Sequence, residues 1–96
     1  MQFDLIGADE LRRYVNARGY TIVDLRSPQE YMLSHIPGAV NMPYNEINFR
    51  NLKRNTTYIF YCERGVKSIR ICRYLSERGI SCMAVASPYN AFVNEM

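Results

Sequence analysis

Two short apolar runs constrain what this chain can fold into more than any other feature. Residues 21–25, TIVDL, and residues 57–61, TYIFY, are dense in β-branched and aromatic side chains, and each is followed by a helical pattern. Short apolar runs with few polar positions read as strands buried on both faces of a sheet. Strands that alternate with helices pair in parallel, through right-handed crossovers, with helices covering both faces. The fold class is therefore α/β with a mostly parallel sheet. In such sheets ligands gather at the carboxyl ends of the strands.

The other elements follow from local signals. Residues 8–18 carry Leu11, Tyr14 and Val15 at helical spacing, and Gly19 supplies a stop. Ser27, Pro28 and Glu30 form a capping box, with serine at the N-cap and proline in the first turn, so a short helix runs to about His35. Pro37 and Gly38 make a turn, and residues 39–41 a short strand. Residues 43–54 are helical or looped. Residues 68–78 form the strongest helix, with Ile69, Cys72 and Leu75 on one face and Gly79 as its stop. Residues 81–86 are a further strand and residues 88–96 a last short helix. The tripeptide PYN follows a strand twice, at residues 43–45 and 88–90, and reads as recurrent punctuation, not duplication.

Length and charge exclude several classes. The 96 residues suit one domain, 1–96. No apolar run approaches the roughly 18 residues of a membrane span, and residues 1–11 lack the layout of a signal peptide. A cytoplasmic protein without a membrane partner is expected. The net charge of +3 suits small anionic ligands and is too scattered for nucleic acid. Three cysteines, Cys62, Cys72 and Cys82, argue against a closed disulfide framework. Their spacing of ten matches no metal-ligand pattern, and His35 is the one histidine.

Cys62 stands at the end of the 57–61 run, and a loop with Gly65 separates it from the next helix. A tight loop can converge its N–H groups into an anion-binding nest, and Gly65 permits the backbone twist this needs. The following helix N-terminus, Arg64 and Lys67 add positive potential, which favours a thiolate over a thiol. The same surroundings would hold an anionic substrate. On these residues alone Cys62 is either a buried small hydrophobe or a nucleophile.

The stretch YCERGVKS, residues 61–68, resembles the active-site loop of the rhodanese family of sulfurtransferases. So does the stretch upstream, VDLRSPQEYMLSHIPGAVNMP at residues 23–43. Asp24, Arg26, Glu30, Tyr31, His35, Ile36, Gly38, Ala39, Asn41 and Pro43 fall on that family's signature. The resemblance covers about residues 5–86. It implies a rhodanese-like three-layer sandwich around a central, mostly parallel sheet of about five short strands.

It also implies that Cys62 is the catalytic sulfur acceptor and becomes a persulfide. The loop N–H groups of Glu63, Arg64, Gly65, Val66, Lys67 and Ser68 would bind the persulfide and substrate. Arg64 and Lys67 would attract the donor, and Arg26 is a further candidate substrate contact. The implied partners are a small anionic sulfur donor such as thiosulfate, a thiol or cyanide acceptor, and a sulfur-acceptor protein in a relay reading. No metal or organic cofactor is implied. Asp24 and Arg26 are expected to form a structural ion pair, and His35 to satisfy backbone groups near the Pro37–Gly38 turn.

Three departures from the family pattern stand out: Ser34 before His35, Glu63 beside the thiol, and the ending VASPYNAFVNEM, which puts the pocket rim in question. Cys72 and Cys82 are expected in the core, where either would trap the persulfide if close enough. A cysteine phosphatase would need arginine where Ser68 stands, since a guanidinium clamps the phosphoryl dianion.

Overall fold

The computed structural model describes residues 3–92, and of Ala91 and Phe92 the backbone only. Among these residues lie the strands β1 (Asp4–Ile6), β2 (Tyr20–Asp24), β3 (Val40–Asn41), β4 (Thr57–Tyr61) and β5 (Cys82–Val85). They form one sheet in the order β1-β5-β4-β2-β3. Each neighbouring pair runs parallel. β4 has the bounds its apolar run predicts. It sits between β5 and β2, so residues 58–61 are all buried.

Strand alternation divides these residues between two cores. Tyr58, Phe60 and Cys62 join Ile71, Cys72 and Leu75 of α3 (Val66–Ser76) on one face. Ile59 and Tyr61 join Leu11 of α1 (Ala8–Leu11) on the other, where Tyr31 of α2 (Pro28–Leu33) and Tyr89 of α4 (Tyr89–Phe92) also pack. Leu11 and Leu75 are fully buried. Each contributes about 1.5–3 kcal/mol relative to exposure. Helices thus cover both faces of a parallel sheet, as expected.

Several elements differ from expectation. β1 has no counterpart among the expected strands. It is a three-residue edge in which Ile6 is buried but Leu5 is 57% exposed, so it shows no apolar run. The first helix stops at Leu11 and passes through a 3-10 turn, Arg12–Tyr14, because Asn16 turns left-handed at φ +59° before Gly19 is reached. α3 begins at Val66, not Ser68, since Gly65 itself is its N-cap. Of the expected 88–96 helix, Tyr89–Phe92 is helical, and residues 93–96 lie outside the described residues.

α2 starts as its sequence requires. Ser27 Oγ accepts the Glu30 N–H at 3.2 Å, and Glu30 Oε1 accepts the Ser27 N–H at 3.2 Å. An N-cap of this kind contributes about 1 kcal/mol. The helix ends at Leu33, two residues short of His35. The 43–54 stretch resolves into two 3-10 turns, Tyr44–Glu46 and Phe49–Asn51.

Candidate functional site

Cys62 is the first residue beyond β4, at the carboxyl end of the sheet. Its Sγ accepts the Gly65 N–H at 3.1 Å. Gly65 holds φ +87°, in the left-handed region, and a Cβ there would collide with the Ala86 carbonyl oxygen. Backbone packs on backbone at this point, so only glycine fits. The N–H groups of Gly65 to Ser68 open α3 and have no intrahelical acceptor. They add to the partial positive charge at that end of the helix.

Ser68 lies beneath the loop rather than on its rim. It is fully buried, with Oγ 2.9 Å from the Val85 carbonyl oxygen, 3.0 Å from that of Gly65 and 3.8 Å from Cys62 Sγ. Its hydroxyl therefore ties the loop to the end of β5. Its side chain does not line the cavity described next.

A cavity of about 560 Å³ opens in front of the sulfur. It is lined by Cys62, Glu63, Arg64, Val66 and Lys67 of the loop and the start of α3, by Leu25 and Arg26 after β2, and by Pro43, Tyr44 and Glu46. Five of the expected substrate contacts, Arg26, Glu63, Arg64, Val66 and Lys67, thus reach this space, whereas Gly65 contributes its N–H to the sulfur instead. Glu63, Arg64 and Lys67 are exposed at the mouth. Lys67 Nζ stands 5.5 Å from the Tyr44 ring centre, within cation–π range.

Asp24 and Arg26 form the expected ion pair. Asp24 is fully buried, and Arg26 Nη2 donates to its Oδ2 at 2.8 Å, Nε to Oδ1 at 3.1 Å. The Arg26 backbone N–H also donates to Oδ1 at 2.8 Å, which closes the turn after β2. Nη2 reaches the Ser34 carbonyl oxygen at 2.6 Å, and the guanidinium lies 3.8 Å over the Tyr89 ring. Arg26 borders the cavity, but its charge is bound into this network. Burial pulls the guanidinium pKa down, yet the bond to Asp24 and the carboxylate charge outweigh it and hold it above the ordinary value. Tyr61 donates to Asp24 Oδ2 at 2.6 Å and accepts the Ile36 N–H at 3.1 Å. Burial, reinforced by the donation to Asp24, pushes its hydroxyl far above the ordinary tyrosine range.

The segment after β5 braces the same structure. The Tyr89 N–H donates to the Glu63 carbonyl oxygen at 2.9 Å, and its ring stacks on Tyr61 at 5.8 Å between centres. Its hydroxyl bonds the Ser34 hydroxyl at 2.9 Å. The departures at Ser34 and after Val85 are therefore joined to each other. Neither Tyr44 nor Tyr89 stands out as a site residue from sequence. Their shared signal was the repeated PYN, for each copy places its tyrosine ring against a cation beside the cavity. Asn41, one of the signature residues, joins the same structure, its Nδ2 donating to the carbonyls of Asp24 and Arg26 at 3.1 and 3.0 Å.

One expectation changes, and one condition is met in the negative for Cys82. His35 is exposed, stacks on Tyr31 at 3.8 Å and bonds through Nδ1 to the Tyr31 carbonyl at 2.7 Å. It therefore serves the last turn of α2 rather than the Pro37–Gly38 turn. Cys72 and Cys82 are in the core as expected, but Cys82 pairs with Tyr58, four residues before Cys62. At about 3.3 Å per strand residue, Cys82 is roughly 13 Å from Cys62, out of reach of a persulfide there. Among the described residues no three His, Cys, Asp or Glu side chains converge as metal ligands would.

Comparison with known proteins adds an independent line. Residues 7–95 match the family model described as the rhodanese-like domain. The chain is 39% identical over 61 residues to a tRNA sulfurtransferase of Thermoplasma acidophilum, covering 62% of this chain and 12% of that protein. It is 29% identical over 70 residues to a sulfurtransferase of Allochromatium vinosum, covering 71% of this chain and 65% of that one. Its structure superposes on a rhodanese-like domain protein from Staphylococcus aureus with a TM-score of 0.81, 29% identity, and 94% and 91% of the two chains covered.

Proposed function

Because this chain belongs to the rhodanese-like domain family, we propose that it is a sulfurtransferase that carries sulfane sulfur on Cys62. Relatives named as sulfurtransferases support the transfer role. The observation that carries the assignment to Cys62 is the Gly65 N–H aimed at Sγ, at the inner wall of the cavity.

In this reading the Cys62 thiolate attacks the outer sulfur of thiosulfate. The sulfur–sulfur bond breaks and sulfite leaves with the electron pair. The new persulfide extends into the cavity, where the N–H groups from Glu63 to Ser68 lie nearest its terminal sulfur. A thiol or cyanide then attacks that sulfur, and Cys62 departs as the thiolate. Two half-reactions on one nucleophile give ping-pong kinetics. Arg64 and Lys67 draw the anionic donor toward the mouth, and Glu63 opposes them. Ser68 occupies the place where a phosphatase would need a guanidinium, with its hydroxyl turned to backbone carbonyls, which favours sulfur over phosphoryl chemistry.

The test is intact mass spectrometry after thiosulfate treatment. The protein should gain one sulfur atom, the gain should disappear on adding cyanide, and Cys62→Ser should show neither. A sulfur gain that survives in Cys62→Ser would overturn the assignment. A relay to a protein acceptor is the second reading. It is favoured by the tRNA sulfurtransferases, of which this chain matches a small part. Faster sulfur release to a protein acceptor than to small thiols would select it.

A further inference from the structure

Sulfur transfer leaves two nucleophilic groups unused. Cys72, in the middle of α3, is fully buried, and Cys82, the first residue of β5, is 5% exposed. Both belong to the core beneath α3. The Cys82 sulfur lies 3.5 Å from the Cys72 carbonyl oxygen, so it sits against the Cys72 backbone. The thiols also act on each other: their contact, with burial, holds the Cys72 thiol well above its ordinary range, and the same contact lowers that of Cys82. Cys82 has an approach of its own. It lines a second cavity of about 270 Å³ with Phe3, Asp4, Thr57, Ser81 and Met83. These residues stand at the amino ends of β1, β4 and β5, opposite the Cys62 cavity.

We propose that Cys72 and Cys82 form an oxidisable dithiol, closed to a disulfide by hydrogen peroxide that enters through the second cavity. The Cys82 sulfur attacks one peroxide oxygen. The O–O bond breaks, the leaving oxygen takes the thiol proton as water, and Cys82 becomes a sulfenic acid. The Cys72 sulfur then attacks the Cys82 sulfur and displaces hydroxide, which leaves as water with the Cys72 proton. Two electrons pass from the sulfur pair to the peroxide. The cross-link ties α3 to β5. Those are the elements whose Gly65 and Ala86 pack together behind the Cys62 loop. The bond thus clamps the cradle from its far side without touching Cys62.

The experiment uses full-length Cys62→Ser protein, so that the first cysteine cannot react. The folded protein is treated with hydrogen peroxide, quenched, unfolded and alkylated with iodoacetamide. The expected product has lost two hydrogens, takes up no alkyl groups and yields a Cys72–Cys82 linked peptide. It should melt at a higher temperature than the reduced protein. Adding Cys72→Ala should stop the reaction at a Cys82 sulfenic acid, captured by a 1,3-dicarbonyl probe. Two alkylated thiols after unfolding, disulfides only between chains, no rise in melting temperature, or an unmodified Cys82 in the double variant would each overturn the proposal.

Discussion

The two ends of this sheet surround a cysteine sulfur with opposite backbone groups. At the carboxyl end, Cys62 Sγ receives the Gly65 N–H. At the amino end, Cys82 Sγ faces the carbonyl oxygens of Cys72 and Ile80 at 3.5 and 3.6 Å. The difference follows from topology. In a parallel sheet the strands' carboxyl ends meet helix N-termini, where N–H groups are unpaired. Placement within the fold, more than residue type, decides which backbone groups surround each sulfur.

The contrast can be broken most strongly from beneath the Cys62 end. Asp24→Ala leaves Arg26 buried without its carboxylate and Tyr61 without its acceptor. We expect a loss of about 3–5 kcal/mol of stability, measured by urea unfolding. An unchanged midpoint would show that the network does not hold this end together. Gly65→Ala comes next. A left-handed alanine costs roughly 1–2 kcal/mol, and its Cβ meets the Ala86 carbonyl. Sulfur loading of Cys62 should fall by more than about tenfold, which corresponds to 1.36 kcal/mol of barrier, with peroxide closure of Cys72 and Cys82 left intact. Equal losses at both ends would mean general unfolding instead of a damaged cradle.

Alkaline pH sharpens the comparison with smaller effects. Tyr61 is held protonated above its ordinary range, so the folded state keeps a proton that the unfolded state releases. Its contribution is complete below about pH 10 and is lost as pH rises beyond that. Melting temperature should therefore fall above about pH 10, and Tyr61→Phe should remove that fall. That variant also costs roughly 1–3 kcal/mol at neutral pH by stranding the Ile36 N–H and removing one of the donors to Asp24. The smallest expected effect is Lys67→Gln. Its charge is exposed at the mouth, so kcat/KM for thiosulfate should drop about two- to fivefold, and less at high salt.

What was legible from sequence was local or strongly apolar. β4 could be bounded because a run of buried aromatics and isoleucine ends at a polar loop. The capping box at Ser27 and Glu30 declares itself within four residues. Asp24 and Arg26 were readable as a pair for the same reason, being two residues apart. β1 escaped because a three-residue edge with one buried side chain carries no pattern. The start of α3 was misplaced because Gly65 acts as cap and twist together, and sequence shows only the twist. Tyr89 was missed as a brace because its partners, Glu63, Arg26 and Tyr61, are far away along the chain. The distance of Cys82 from Cys62 depended on strand register, which spacing alone does not reveal.

Competitive labelling of the three thiols tests the central claim most directly. Folded, reduced protein is treated with limiting iodoacetamide near neutral pH, and each cysteine is quantified by peptide mapping. Cys62 should be alkylated first, Cys82 more slowly, and Cys72 only once the protein is unfolded. Modification of Cys82 or Cys72 at a rate equal to or above that of Cys62 would contradict that claim.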